Sequence, residues 1–439
     1  MSLLVTGARL LDGPAQDLFV EDGRIAALGA RAGEAARAAE DVEVLDADGL
    51  HVLPGLVDLH THLREPGRED AETIATGSAA AAAGGFTAIL AMANTSPVTD
   101  TAEAAERVLD LGRAAGLVDV QPIGAVTKGL DGHELAELGL MHRSRAGVTV
   151  FSDDGRCVAD ARVMRRALEY VRAFDGVVSQ HSQDPELAGA SACCHEGELS
   201  GRLGLPGWPA AAEASIIARD AQLALLTGSR VHVAHVSTAE GLEVVRWAKA
   251  RGARMTAEVT PHHLLLTTDL LSGYDPVYKV NPPLRPDEDV AALREGLADG
   301  TIDAVATDHA PHARHDKEHA FVDAAFGMTG LETAFAVVHD VMVRQGSMDL
   351  AGLARVMSSA PARIAGLAEH GGELVVGAPA HLALVDPGAT VTVDRAATAS
   401  LSRNTPFHGR TLTGSVVATV LRGALTRTSP DRTTTKVTA

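Results

Sequence analysis

Short apolar runs alternate with amphipathic stretches through the middle of the chain. This alternation is typical of repeated βα units, in which a buried strand is followed by a helix that covers it. The runs with the composition of buried strands span residues 55–62, 86–94, 118–127, 147–154, 176–181, 230–237, 254–260 and 302–309. Eight such units in succession predict a (β/α)8 TIM-like barrel.

The two ends of the chain follow a different pattern. Before Gly55, apolar segments are separated by Asp-Gly and other glycine turns, as in β-hairpins, and the sequence from Gly371 onward does the same. We therefore expect residues 1–54 and 366–439 to form one small β-sandwich domain, with a barrel of residues 55–365 inserted between them. We expect the polar residues 429–439 to fray.

Several residues predict where the outer helices begin and end. Asp100 and Ser237 each precede a glutamate by three positions, which is the spacing of a capping box. Gly116 and Gly300 stand where glycine commonly terminates a helix.

Length and composition agree with one barrel and a companion domain. The chain has 439 residues, and a barrel of this kind takes about 250. Apolar residues make up 46% and charged residues 22%, so a large aliphatic core can form. The net charge of −19 would repel nucleic acid and anionic membranes, so we expect neither as a partner. An acidic substrate would need a local cation.

The cysteines and the absence of a targeting segment favour a cytoplasmic protein. Of the three cysteines, Cys193 and Cys194 are adjacent, and neighbouring cysteines rarely form a disulfide bond without strain. No basic segment followed by an apolar stretch begins the sequence, and no run of about 18 apolar residues occurs. We expect reduced thiols and no membrane anchor.

Ligand-type side chains close five of the predicted strands. They are His60 and His62, Asp154, His181, His235 and Asp308. Because barrel active sites lie at the C-terminal ends of the strands, these side chains should meet. His60 and His62 stand two apart and share one face of a strand. A lone His-x-His pair is common on surfaces, but this combination predicts a metal site that suits zinc, with iron, manganese or cobalt as substitutes.

The motifs that carry these residues resemble one enzyme family. GLVDLHTHLREPG, AMANTSPVTD, FSDDG, AEVTPHHLLLT, KVNPPLR, ATDHAPH and FGMTGLETA together are similar to the motifs of bacterial class I dihydroorotases in the amidohydrolase superfamily. The resemblance spans essentially the whole chain. It implies the zinc-dependent, reversible hydrolysis of (S)-dihydroorotate to N-carbamoyl-L-aspartate in de novo pyrimidine biosynthesis. It also implies one or two zinc ions, and we expect two per subunit.

The resemblance further assigns the ligands and the base. The buried zinc would be held by His60, His62 and Asp308, the second zinc by His181 and His235, and Asp154 would bridge them. Many relatives in the superfamily bridge with a carboxylated lysine, which FSDDG lacks. Asp153 and Asp154 both qualify; Asp154 is favoured because it precedes His181 by 27 residues, the family spacing. Asp308 would also act as the catalytic base.

Substrate contacts follow from the same motifs. Arg64 lies two residues beyond His62 and would hold the substrate carboxylate in a bidentate fork. The alternative is a surface ion pair with Glu65 or Glu69. The other implied contacts are Asn94, Asn281, His312, Phe326 and Gly327, the last two through backbone groups. Ala93 and Ala325 stand where the family pattern has proline, which puts the rigidity of those loops in doubt.

Three other interpretations stay open at this point. A hydantoinase, dihydropyrimidinase or allantoinase would open a similar ring, but such an enzyme does not need a carboxylate-binding arginine, and the first two bridge with lysine. A non-catalytic partner of aspartate transcarbamoylase would be expected to have lost ligands. A homodimer, or a complex of the active enzyme with aspartate transcarbamoylase, also stays open. His370 lies away from the strand ends and is expected to take no part in the site.

Overall fold

The computed structural model describes residues 2–430, 432 and 434–437. Its strands, in chain order, are β1 (Ser2–Leu10), β2 (Ala15–Glu21), β3 (Arg24–Leu28), β4 (Val42–Asp46), β5 (His51–Pro54), β6 (Leu56–Thr61), β7 (Phe86–Ala91), β8 (Asp119–Pro122), β9 (Val150–Phe151), β10 (Val177–Gln180), β11 (Cys194–His195), β12 (Gly207–Trp208), β13 (Arg230–Val233), β14 (Met255–Val259), β15 (Ala304–Val305), β16 (Leu382–Thr392), β17 (Thr411–Leu421), β18 (Ala424–Thr428) and β19 (Thr434–Val437).

The α-helices lie mainly between the strands of the barrel. They are α1 (Ala30–Ala38), α2 (Ile74–Ala83), α3 (Ala102–Ala115), α4 (Leu138–Arg143), α5 (Ala161–Val171), α6 (Pro185–Ala188), α7 (Glu198–Leu203), α8 (Ala211–Thr227), α9 (Ala239–Ala250), α10 (Pro261–Leu265), α11 (Asp287–Asp299), α12 (Arg314–Lys317), α13 (Ala334–Val338), α14 (Leu350–Ala354) and α15 (Ala360–Ala365). None of the described helices is long and apolar enough to cross a membrane.

Eight parallel strands close into the barrel. One set runs β6, β7, β8, and the other runs β9, β10, β13, β14, β15. Parallel bridges between Gly124 and Phe151 and between Thr61 and His309 join the two sets. Each of the eight strands lies within a predicted apolar run, and the observed strands are shorter than those runs. The predicted barrel is confirmed. Its strands are apolar because side chains inside the barrel cover one face and helices cover the other.

The N- and C-terminal strands form one nine-stranded sheet. Its main path is β18, β17, β16, β5, β1, β2, β3, with β4 also on β1 and β19 on β4. Antiparallel pairing of β5 with β16 places Leu53 opposite Ala383 and so joins the two ends of the chain. Apolar side chains from both ends share one core that includes Val52 and Leu384. The prediction that β-strands from the two ends come together is confirmed, and they lie in one sheet. The prediction of fraying was wrong for residues 434–437, which pair with β4.

The helix caps differ slightly from those predicted. The side chains of Thr101 and Thr238 cap α3 and α9, each one residue after the predicted cap. Both threonines have extended backbone angles and accept a hydrogen bond from a first-turn amide, which is what an N-cap requires. Gly116 and Gly300 end α3 and α11 with φ of 67° and 83°, as predicted.

Candidate metal centre and active site

The six predicted ligands come together at the C-terminal rim of the barrel. His60 and His62 lie at the end of β6, Asp154 follows β9, His181 follows β10, His235 follows β13 and Asp308 follows β15. None of the six is more than 5% exposed. Residues far apart in sequence are therefore brought into one buried cluster because parallel strands place their C-terminal ends on the same rim.

Asp154 lies at the middle of this cluster. Its Oδ1 is 3.3 Å from His60 Nε2, 3.4 Å from His181 Nδ1 and 3.2 Å from His235 Nε2. Its Oδ2 is 3.4 Å from His62 Nε2. One carboxylate thus faces all four histidines.

Asp308 faces the two histidines of β6. Its Oδ1 is 3.1 Å from His62 Nε2 and 3.5 Å from His60 Nε2. Asp308 has a positive φ of 46°, a left-handed backbone conformation that aspartate adopts more readily than most non-glycine residues. Two groups of ligand atoms, one around His60, His62 and Asp308 and one around His60, Asp154 and His235, are compact enough to enclose a cation.

The donor set fits a metal. His60 Nε2 and His235 Nδ1 are buried and have no hydrogen-bond partner among the described residues. Burial opposes a charge on Asp154, but His60 and the other histidines outweigh it and lower the pKa of that carboxyl well below its usual range. Ionised carboxylates in so dry a place need a cation, and four imidazoles with two carboxylates are the ligands that suit a divalent transition metal.

Glu258, which sequence reasoning missed, orients His60. Its Oε1 accepts a hydrogen bond from His60 Nδ1 at 3.0 Å, and its Oε2 lies 3.0 Å from His232 Nε2. Although burial opposes it, the contacts with His232 and His60 lower the pKa of Glu258 to about 2. An imidazole whose Nδ1 is held by a carboxylate presents Nε2 to a metal. The signal in the sequence is a charged residue inside the apolar run 254–260.

Asn94 and Asp153 occupy supporting positions. Asn94 Oδ1 accepts a hydrogen bond from His62 Nδ1 at 3.0 Å, and Asn94 Nδ2 donates to the Asp154 carbonyl at 3.3 Å. Asp153 faces away from the histidines and accepts the Val126 and Thr127 amides at 2.7 and 3.0 Å. Asn94 therefore lies against a ligand of the centre, and its predicted contact with substrate stays a prediction.

Arg64 lies beside the cluster, half-buried, with φ of 60°. Its Nε donates to the Pro311 carbonyl at 3.0 Å, and its Nη2 is 3.4 Å from His312 Nε2. Glu65 and Glu69, the alternative partners, instead accept backbone amides of Ile74 and Gly67. Within the described residues no carboxylate forms an ion pair with Arg64, so this cation remains available to an acid.

The remaining predicted contacts lie on neighbouring loops. His312 Nε2 is 2.6 Å from the Phe326 carbonyl. Gly327 has φ of 141°, and a Cβ there would come within 2.8 Å of His312 Nε2, so only glycine fits. The Gly327 amide donates to the Lys279 carbonyl at 3.0 Å, which brings the segment preceding Asn281 to the same place. The Asn281 side chain makes no hydrogen bond within the described part of the chain.

Comparisons with known proteins agree with this geometry. A family model described as "Dihydro-orotase-like" matches residues 49–241, and one described as "Amidohydrolase family" matches residues 206–426. A dihydroorotase of Streptomyces coelicolor is 58% identical over 423 residues, which are 96% of this chain and 97% of the relative. One of Leifsonia xyli is 59% identical over 97% of this chain and 96% of its own. The chain belongs to the dihydroorotase family.

This dihydroorotase family member also shares its fold with solved hydrolases. An L-hydantoinase (dihydropyrimidinase) from Arthrobacter aurescens superposes with a TM-score of 0.84 at 28% identity, covering 96% of this chain and 95% of the other. A dihydropyrimidinase from Brevibacillus agri gives a TM-score of 0.84 at 23% identity, covering 97% and 95%, which shows the fold alone. The chain is accordingly an enzyme of the metal-dependent amidohydrolase superfamily with dihydroorotase function, and pyrimidine biosynthesis follows from that function.

Proposed function

We propose that this chain hydrolyses (S)-dihydroorotate reversibly to N-carbamoyl-L-aspartate at a centre that holds two zinc ions, in the cytoplasm. The observation that carries this proposal is an arginine without a carboxylate partner among the described residues, Arg64, beside a buried cluster of four histidines and two aspartates. The cluster supplies the means to hydrolyse an amide, and the guanidinium selects a substrate that bears a carboxylate.

We expect the ligands to divide between the two ions as the resemblance to the family implies. His60, His62 and Asp308 would hold the more buried zinc, His181 and His235 the other, and Asp154 both. When bound, zinc polarises an amide carbonyl and makes a water acidic enough to attack at neutral pH. Glu258 and Asn94 hold the Nδ1 atoms of His60 and His62, so that the Nε2 atoms would be free to bind the ions.

The protein's own groups bind the ring and move the proton. Arg64 would hold the substrate carboxylate with two parallel hydrogen bonds. Asn281, His312, Phe326 and Gly327 would orient the ring. Asp308 would take a proton from the attacking water and give it to the ring nitrogen as the carbon–nitrogen bond breaks. The hydroxyl group stays on the carbonyl carbon, and the same groups run the reaction backward to close the ring.

The test compares substrates that differ only in the carboxylate. Zinc-replete protein is assayed with dihydroorotate and with dihydrouracil, which has the same ring without the carboxylate. We expect dihydroorotate to be hydrolysed with kcat/KM higher by roughly 100-fold, because the charge-assisted hydrogen bonds are lost with dihydrouracil. Equal values for the two rings, or no turnover of dihydroorotate, would contradict the proposal.

Association is a separate prediction. A homodimer and a complex with aspartate transcarbamoylase are both compatible with the proposed activity. Sedimentation velocity of the purified chain, alone and mixed with aspartate transcarbamoylase, measures each of them.

A further inference from the structure

A lysine outside the predicted site holds the loop that carries two of the implied substrate contacts. Lys317, the last residue of α12, donates from Nζ to the carbonyls of Lys279, Ala325 and Gly327 at 3.2, 2.8 and 3.1 Å. An ammonium group has three N–H donors and no acceptor. Each donor of Lys317 is therefore matched by one backbone carbonyl.

The surroundings of Lys317 show that these carbonyls are its main partners. The side chain is half-buried, and within the described residues no carboxylate lies within ion-pair distance of Nζ. An ammonium group removed from water without a counter-ion is unfavourable unless dipoles compensate for the lost hydration. Three converging carbonyls provide that compensation. The ammonium group in turn links the three carbonyls to one another.

The segment that Lys317 holds, residues 325–327, lies against His312, one of the proposed substrate contacts. The Phe326 carbonyl is 2.6 Å from His312 Nε2, which is itself 3.4 Å from Arg64 Nη2. The Gly327 carbonyl receives a second hydrogen bond, from Asn404 Nδ2 at 3.1 Å. A displaced carbonyl at either end of this segment would move the backbone against which His312 lies.

We infer that Lys317 is a positioning residue for substrate recognition, which fixes the backbone of residues 325–327 beside His312 and Arg64. The inference rests on the proposed function, because His312, Phe326 and Gly327 are its proposed substrate contacts. Lys317 itself touches neither the metal cluster nor Arg64. Its loss should weaken substrate binding more than it slows the chemical step.

The variants Lys317→Met and Lys317→Arg test this inference. Methionine keeps much of the stem and removes every donor, whereas arginine keeps the charge and several donors. We expect KM for dihydroorotate to rise roughly tenfold in Lys317→Met, kcat to fall less than about threefold, and zinc content to stay the same. Lys317→Arg should recover most of the loss in KM.

A matched control is available at the other end of the barrel. Lys249 Nζ donates to the Thr301 carbonyl at 2.7 Å and to Asp303 Oδ2 at 2.6 Å, just before β15. Lys249→Met likewise removes the hydrogen bonds of a half-buried ammonium group, and it should leave KM unchanged. An equal rise in KM in Lys249→Met and Lys317→Met would overturn the inference, because the effect would then come from general loss of stability.

Hydrogen exchange gives a readout that does not depend on activity. In substrate-free protein, amides of residues 321–328 should exchange at least about fivefold faster in Lys317→Met than in the parent, and not in Lys249→Met. Unchanged exchange and unchanged KM contradict the inference. If Lys317→Met exchanges faster but the parent protein does not hydrolyse dihydroorotate, the proposed function is refuted, while the role of Lys317 in holding residues 325–327 stands. Should Lys317→Met fail to fold, Lys317→Gln is measured in the same way.

Discussion

Two clusters of histidine and aspartate lie at opposite ends of the barrel. At the C-terminal rim, Asp154 and Asp308 face only imidazoles among the described residues. At the N-terminal end, Asp119 of β8 lies 2.8 Å from His370 Nε2, and His370 stacks on His381. Both clusters have ligand atoms close enough to enclose a cation. Residue type and spacing alone therefore do not distinguish them.

Charge balance distinguishes the two clusters. The Arg422 guanidinium holds both oxygens of Asp119, at 2.6 and 2.9 Å, and His370 Nδ1 lies 3.2 Å from the Thr87 hydroxyl. That cluster already contains its cation, and it joins the barrel to the β17–β18 turn of the β domain. At the rim no arginine or lysine forms an ion pair with either carboxylate in the described part of the chain. The rim cluster differs in having two buried carboxylates without an arginine or lysine partner among the residues that the structure describes, and this feature, rather than a group of histidines, indicates a metal centre.

The largest loss of turnover is expected from a substitution of Asp308 at the rim, whereas the same substitution of Asp119 at the opposite end should change turnover little. Asp308→Asn keeps the shape of the side chain but removes its charge and basicity, so turnover should fall by about 10² to 10⁴ in both directions. Some zinc should remain bound, because the amide oxygen can still coordinate. Rates of hydrolysis and of ring closure, measured together with zinc content, check this prediction. Near-normal rates in a zinc-replete variant would place the proton transfer elsewhere, with His312 the next candidate.

The second prediction concerns Arg64. Arg64→Lys keeps the charge but loses the bidentate fork, so kcat/KM for dihydroorotate should fall roughly 10- to 100-fold. Arg68→Lys is the matched control, since Arg68 is half exposed and pairs with Asp316 at the surface. Steady-state kinetics of both variants decide the matter. If Arg64→Lys equals the parent, the carboxylate is recognised by another group.

The third prediction concerns Glu258, which holds a candidate metal ligand but is not itself one. Glu258→Gln leaves every ligand in place but removes the charge that holds His60, so zinc affinity should fall about 10- to 100-fold. Competition with a chromophoric chelator measures it. The control is Glu332→Gln, because Glu332 is a half-buried carboxylate that accepts the Ala399 and Ser400 amides away from the centre. A similar loss of affinity in both variants would contradict the role given to Glu258.

The smallest effect is expected at the opposite end of the barrel. Asp119→Asn should leave zinc content and turnover within twofold of the parent and lower the free energy of unfolding by about 1 kcal/mol at pH 7. Burial opposes the charge of Asp119, but His370 and Arg422 lower its pKa below the usual value. A carboxyl with a lowered folded-state pKa stabilises the fold above its unfolded pKa of about 3.9 and loses that contribution as pH falls. The difference between variant and parent should therefore shrink below about pH 4, as measured by urea unfolding. A loss of zinc in this variant would show that the Asp119 cluster also takes part in binding metal.

The eight strands and the meeting of the six candidate ligands at one rim could be predicted because each carries a local signal. An apolar run that ends in histidine or aspartate is visible in the sequence, and the barrel geometry brings the ends together. Glu258 and Lys317 were missed because their partners, His60 and the carbonyls of residues 279, 325 and 327, are far away in sequence or belong to the backbone. The difference between His370 and the rim histidines likewise depends on Arg422, which lies 52 residues beyond it. Pairings of this kind appear only when the chain is folded.

Zinc content and dihydroorotate hydrolysis, measured on the same protein, decide whether activity depends on the rim cluster holding metal. Purified protein is analysed for metal, stripped with a chelator, and supplied again with Zn²⁺ while dihydroorotate hydrolysis is followed. We expect two zinc ions per chain, loss of hydrolysis on stripping, and recovery on addition of zinc, with Asp119→Asn behaving as the parent does. Full dihydroorotate hydrolysis by protein verified to be free of metal would contradict this expectation.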